Sequence, residues 1–391
     1  MLVWLVTRNV AVIAMYLSAP IKPYQAQPLW TGDVPSWALI YKSIHQPDVA
    51  VTRMLPIVNS SFLNQLMRTK TSSAMVVQFA TNMLATSVNA VDTLLVSGLH
   101  TAQLARVAYF TNVWLNSEGW IVLSTTHQAA RNGGCATNTN WQRPTLVKKY
   151  SKVISITAMW GSATWHFPME AFVGLFAVQS VPAFSDWVTN PDVFVHVSKP
   201  NSWTLKWLSL LHIPHERIIS GEIMAQTALV PEMGRCGTPS LTQILLMRRL
   251  LQNTTTVSAY NKHAADVIII RRHGEREIRN HKKLETAVKN WAARYALSVA
   301  IHDPGAKDSL QKQIHTFSHA KYIIGPHGAG LLFQLTAPPG AVVMEFMPSP
   351  GANACFLRLA YLLGHRYVME KLNNGMVDVW SAIAQLNRFY A

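Results

Sequence analysis

Charged residues are scarce in this 391-residue chain: Asp, Glu, Lys and Arg together make up 14%, against about 25% in an ordinary soluble domain. With 49% apolar residues, that scarcity excludes a long disordered chain or a charge-laced coiled coil. Cysteine is rarer still. Cys135, Cys236 and Cys355 are far apart and include no CxxC pair, so neither a disulfide framework nor a cysteine-ligated zinc cluster is available. No Asp-x-Asp pair occurs to clamp a magnesium nucleotide. The apolar run near the N-terminus, Val10 to Leu17, is too short to span a bilayer. It reads as a buried strand, or as the core of a weak signal peptide with Arg8 as its charge and Ser18-Ala19 as its end.

The charge that is present is mostly positive. Lys and Arg number 34 against 19 Asp and Glu, a formal net charge of +15, which suggests an anionic partner: nucleic acid, an acidic membrane surface or a phosphorylated substrate. A solvated basic surface is the plain alternative. Basic residues are scattered, and the densest stretch, Arg271 to Lys283, also holds Glu275 and Glu277, so a purely basic nucleic-acid arm is missing. Any phosphate chemistry must rest on cations and backbone N–H groups.

Residues 20 to 50, rich in Pro and Trp, and residues 130 to 150, with Asn132-Gly133-Gly134, read as irregular connections. A strand is predicted at Trp120 to Ser124, a helix over Trp165 to Val178, a strand at Asp192 to Val197 and a helix over Thr204 to Leu211. The last third is more regular. Its order is strand Val267 to Ile270, helix Leu284 to Ala296, strand Leu297 to Ile301, helix Leu310 to Ser318, strand Tyr322 to Ile324, a glycine turn, helix Leu331 to Thr336 and strand Val342 to Phe346. Serial β-α units build a parallel sheet. The polar stretch Gln252 to Asn261 marks a boundary between two Rossmann-like halves with a cleft between them. Asn-x-Ser/Thr triplets at Asn59 and Asn253 permit a secretory route.

Gly325-Pro326-His327-Gly328-Ala329-Gly330 follows a strand and opens a helix. At the carboxyl end of a strand such a turn brings backbone N–H groups to an anion, most naturally a phosphate. Tight strand-helix packing is the alternative, with His327 a capping core residue. The order G-x-x-G-x-G matches neither the dinucleotide fingerprint nor the P-loop. Glu345 ends the next strand, where an acid can accept from ribose hydroxyls or serve as a cap or salt bridge. Arg271, Arg272 and Arg276 leave the strand Val267 to Ile270 toward the same sheet edge, where guanidinium forks suit a diphosphate. An ordinary surface run is the other reading. His166 and Glu170, four apart, share a helix face and suit a base with its orienting partner, or a structural pair. No third ligand accompanies them, so a metal site is not expected.

Together, Gln313 to Phe346, with the His327-Gly-Ala-Gly330 turn and Glu345, resemble the signature segment of glycosyltransferase family 61. Arg272, Arg276 and Asn280 resemble its Ser-Arg...Arg...Asn-Glu stretch, and Trp165-His166-Phe167-Pro168-Met169-Glu170 its Phe-His-x-x-x-Asp/Glu element. The resemblance covers roughly residues 150 to 370. It implies an α/β fold of GT-B type, with residues 1–255 as a Rossmann-like acceptor-side domain and residues 256–391 as a Rossmann-like donor-binding domain. It also implies inverting transfer, without a metal or other cofactor, of N-acetylglucosamine or a pentose such as xylose. The sugar would move from a UDP-sugar to a hydroxyl of a glycan or glycoprotein in the Golgi or endoplasmic reticulum lumen. Arg271, Arg272, Arg276, His327, Gly328, Ala329, Gly330 and Glu345 would then bind the donor, and His166 with Glu170 would face the acceptor. Membrane association would run through a weak or upstream N-terminal anchor, and no nucleic-acid partner is expected.

Three departures stand out: Leu332-Phe333 in place of Thr-Asn, Ser162-Ala163 in place of Gly-Asn, and His281 in place of Glu. Each removes a polar group. The alternative they leave is a degenerate relative that binds glycan or nucleotide without turnover, with nucleic-acid binding a minor third.

Overall fold

The computed structural model describes residues 39–42, 106–123, 129–131, 147–179, 181–231, 233, 237, 241–254, 264–303, 308–348 and 355–390. Val10 to Leu17 and Asn59 lie outside these. Among the described residues, thirteen strands form two sheets. In the first, β1 (Leu39–Lys42), β2 (Arg106–Leu115), β3 (Trp120–Leu123) and β4 (Ala129–Arg131) pair antiparallel with one another. A parallel group continues it through β5 (Lys148–Ser155), β6 (Val193–His196), β7 (Ile218–Ile219) and β8 (Ile223–Pro231). The full order is β4-β3-β2-β8-β5-β6-β7. The parallel group therefore reads 8-5-6-7, and connections diverge at the end of β5.

The second sheet holds β9 (Val267–Ile270), β10 (Val299–His302), β11 (Tyr322–Pro326), β12 (Val342–Met347) and β13 (Arg366–Lys371), all parallel in the order β10-β9-β11-β12-β13. Val267-Ile-Ile-Ile270 is buried throughout because both faces of a central parallel strand are covered. Its side chains alternate: Val267 and Ile269 face α4 (His281–Arg294) and α7 (Val379–Tyr390), whereas Ile268 and Ile270 face inward. α4 buries Leu284, Val288, Trp291 and Ala292, one stripe at helical spacing.

The inward faces of the two sheets share one apolar core. It joins Ile154, Phe167, Phe172 and Leu229 of the first half to Ile268, Ile323, Phe333 and Val343 of the second. The helices α1 (Gly174–Gln179), α2 (Ser202–Leu208), α3 (Leu241–Thr254), α5 (Leu310–Phe317) and α6 (Cys355–Leu362) line it. α3 precedes the expected boundary yet packs on the second half, where Arg248 Nη2 donates to the Ala337 carbonyl at 3.0 Å. The boundary stretch itself is helical through Thr254, and residues 255–261 lie outside the described set.

Several predicted elements shift. The helix expected over Trp165 to Val178 is a π-helical turn, Phe167–Phe172, followed by α1. The helix after the glycine turn is a tight 3-10 helix, Ala329–Leu335. Within stretches read as irregular stand β1, β4 and the start of β5, the last hidden because its first residues, Lys148-Lys149-Tyr150-Ser151-Lys152, lie at the solvent side and show no apolar alternation.

Candidate active site

The strand order of the second sheet reverses between β9 and β11, which opens a crevice beyond their carboxyl ends. The two ends come close because residue 325 is glycine: a Cβ there would lie 2.6 Å from Cβ of Ile270. Arg272 spans the crevice, donating from Nη1 to the His327 carbonyl at 2.9 Å and from Nε to the Glu275 carbonyl at 2.8 Å. Gly328 sits at φ 155°, and a Cβ on it would meet Arg272 Nη1 at 1.8 Å. Only glycine leaves room for the guanidinium.

No carboxylate among the described residues pairs with Arg272. Its pKa is lowered, first by burial and then by the neighbouring Arg276, so its charge is under-compensated. Arg276 is exposed in the same turn, at φ 66°. Ala329 and Gly330, half-buried, open the 3-10 helix, whose first N–H groups have no partner within it. Together these groups form a cationic, donor-rich edge fit for an anion.

Arg271 does not join them. Its Nη2 donates to Glu285 Oε2 at 2.8 Å and its Nε to His281 Nε2 at 3.2 Å, on α4. Arg271 and then Lys289 hold the Glu285 carboxyl down at about 2. Successive residues leaving β9 point to opposite faces, so Arg271 and Arg272 are parted.

Glu345 also departs from expectation. Its side chain is 1% exposed, with Oε1 bonded to His327 Nδ1 and Oε2 accepting from the Tyr367 hydroxyl. Each oxygen accepts one bond inside the protein, and at 1% exposure the carboxyl has little open surface to offer ribose hydroxyls. Instead Glu345 orients His327, whose backbone N–H is tied to the Phe346 carbonyl at 2.9 Å and whose Nε2 has no partner among the described residues. Burial, and after it Glu345, raises the Tyr367 pKa well above its usual value and keeps the hydroxyl a donor. Nothing in the sequence pointed to Tyr367, because β13 carries no clear strand pattern.

His166 and Glu170 meet as their spacing requires, Nδ1 to Oε1 at 2.9 Å. Glu170 is 1% exposed within the π-helical turn, and the Gly237 N–H also donates to its Oε1 at 2.8 Å. Its Oε2 has no hydrogen-bond partner among the described residues. An ionised Glu170 places the proton on Nδ1 of His166 and leaves Nε2 the basic nitrogen. Phe356 connects this dyad to the crevice, its ring 4.9 Å from that of Trp165 and 5.3 Å from that of His327. Cys355 marks the same convergence. Its thiol pKa is pushed up first by burial and further by the charges of Glu345 and Glu170.

Two of the three departures have structural explanations. Leu332 and Phe333 are buried in the shared core, Phe333 against Trp203, His302 and Phe317. His281 completes the Arg271–Glu285 cluster. Asn280 is not at the crevice but clamps Val377 through both its backbone groups, at 2.8 and 2.9 Å. Among the described residues, no three His, Cys, Asp or Glu side chains gather as a metal-ligand group, and no helix is long and apolar enough to cross a membrane.

Residues 164–344 match the family model described as glycosyltransferase 61. The matched stretch carries His166, Glu170, the arginine turn and the glycine turn. No curated protein matches the chain.

Proposed function

With residues 164–344 belonging to glycosyltransferase family 61, we propose that this glycosyltransferase is an inverting enzyme of GT-B type using a UDP-sugar without a metal ion. The Arg272 bridge to the His327 carbonyl at the strand-order reversal carries the reading, since it sets beside a glycine turn a cation with no carboxylate hydrogen-bonded to it among the described residues. Arg272, Arg276, the N–H groups of Gly328 to Gly330 and His327 would hold the diphosphate.

Nε2 of His166 would take the proton from an acceptor hydroxyl while Glu170 stabilises the resulting imidazolium. The acceptor oxygen then attacks the anomeric carbon from the face opposite the leaving group. The carbon–oxygen bond to the diphosphate breaks, and UDP departs with its growing negative charge held by preorganised donors. N-acetylglucosamine or a pentose such as xylose is the proposed sugar, a glycan or glycoprotein hydroxyl the acceptor, and the Golgi or endoplasmic reticulum lumen the setting. The degenerate alternative gains no support from Leu332 and Phe333, whose burial makes them packing residues.

The test is thermal stability of the full chain against nucleotides and nucleotide sugars, with and without EDTA. A UDP-dependent rise in Tm that survives EDTA is expected. No rise with any nucleotide overturns the donor site, and a rise abolished by EDTA overturns metal independence.

A further inference from the structure

Trp160 is 61% exposed and holds a left-handed backbone, φ 63°. For a bulky residue that conformation is an outlier, kept only where the surroundings impose it. The surroundings here are polar and well defined. Ser198 Oγ donates to the Ala158 carbonyl at 2.9 Å and accepts from the Ala158 N–H at 3.1 Å, and Asn201 Nδ2 donates to the Ser162 carbonyl at 3.1 Å. The indole itself makes no hydrogen bond or ring contact among the described residues. The strain is therefore not explained by a hydrogen bond or ring contact of the indole among the described residues.

Its place gives it a use. The turn follows β5, where the strand order of the parallel group in the first sheet reverses, the second such point among the described residues. A chain of backbone bonds then carries the turn into the His166 element: Ala163 N–H to the Trp160 carbonyl at 2.8 Å, and Phe167 N–H to the Ala163 carbonyl at 2.9 Å. The backbone that carries a flat, amphipathic ring is thus tied to the element that carries the proposed base.

We propose that Trp160 is the stacking platform for a pyranose ring of the acceptor glycan. The C–H bonds on one face of a pyranose form an apolar patch that matches an indole face, while the hydroxyls around its rim stay solvated. This rests on the glycosyltransferase reading and adds an acceptor subsite to it.

The experiment compares wild type with Trp160→Ala, Trp160→Tyr and Trp160→Gly as full chains. Binding to an array of free oligosaccharides is read with and without UDP, alongside Tm and the UDP-dependent shift. Trp160→Ala should lose at least tenfold in glycan binding, Trp160→Tyr should stay within about threefold, and the UDP shift should be unchanged in all. Trp160→Gly should raise Tm by about 1–3 °C, because glycine adopts this backbone without strain. Wild-type glycan binding in Trp160→Ala, a wild-type chain that binds no oligosaccharide, or a drop in Tm of several degrees in Trp160→Gly overturns the platform. Loss of the UDP shift in wild type instead overturns the donor reading.

Discussion

Arg272 donates from Nη1 to the backbone carbonyl of His327 at 2.9 Å, joining the ends of two strands 55 residues apart in sequence. The contact holds a cation over the glycine turn, so removal should act on the leaving diphosphate rather than on the fold. Arg272→Ala should lose about 10²–10³ in kcat with an unchanged circular dichroism spectrum. Gly328→Ala should do the same, because its methyl would occupy the guanidinium's position. Arg271→Ala is the control. Its ion pair with Glu285 is partly exposed, and its loss should cost at most about 1 kcal/mol of stability and leave UDP affinity within about twofold. Equal effects at 271 and 272 would show that the two faces are not distinguished.

His166 and Glu170 should separate in kinetics. His166→Gln removes the proposed base and should abolish the rise of kcat with pH on the acid limb of the profile. Glu170→Gln retains the shape while weakening the imidazolium, so kcat should fall about 10²-fold or more with KM for the donor little changed. A pH profile identical to wild type in His166→Gln moves the base elsewhere.

Tyr367→Phe leaves one oxygen of the buried Glu345 without a donor. A stranded buried acceptor costs about 1–3 kcal/mol, read as a lower urea midpoint. Because Glu345 holds His327, UDP affinity should fall as well. A variant with full stability and full UDP affinity would deny the Tyr367–Glu345–His327 chain any role.

Acid sensitivity follows from three buried histidines. Burial is the main cause that lowers His196, His302 and His365 to about 4. Their folded pKa lies below the unfolded 6.5, so the unfolded chain takes up the protons first and stability falls as pH drops from 6.5 toward 4. Each could remove on the order of 3 kcal/mol. His302 is the cleanest to replace, since its Nε2 has no partner among the described residues and its ring packs on Phe317 and Phe333. His302→Leu should lessen the fall between pH 6.5 and 4.5 by about one third, measured by urea denaturation. An unchanged slope would place the acid-sensitive groups elsewhere.

Local chemistry made much of this legible from sequence. Val267-Ile-Ile-Ile270 reads as a strand from its β-branched run, the glycine turn follows the strand read at Tyr322-Ile-Ile324, and the i,i+4 spacing puts His166 beside Glu170. Those are short-range consequences of side-chain shape and backbone freedom. What the sequence could not decide depends on partners far along the chain. Alternation on β9 and the helix lying over each face separate Arg271 from Arg272. The proximity of β13 turns Glu345 from a ligand-facing acid into the support of His327. The fold of the loop after β5 leaves Trp160 strained and exposed. A residue's type sets which bonds it can make, but burial and the neighbours supplied by the sheet decide which of them it does make.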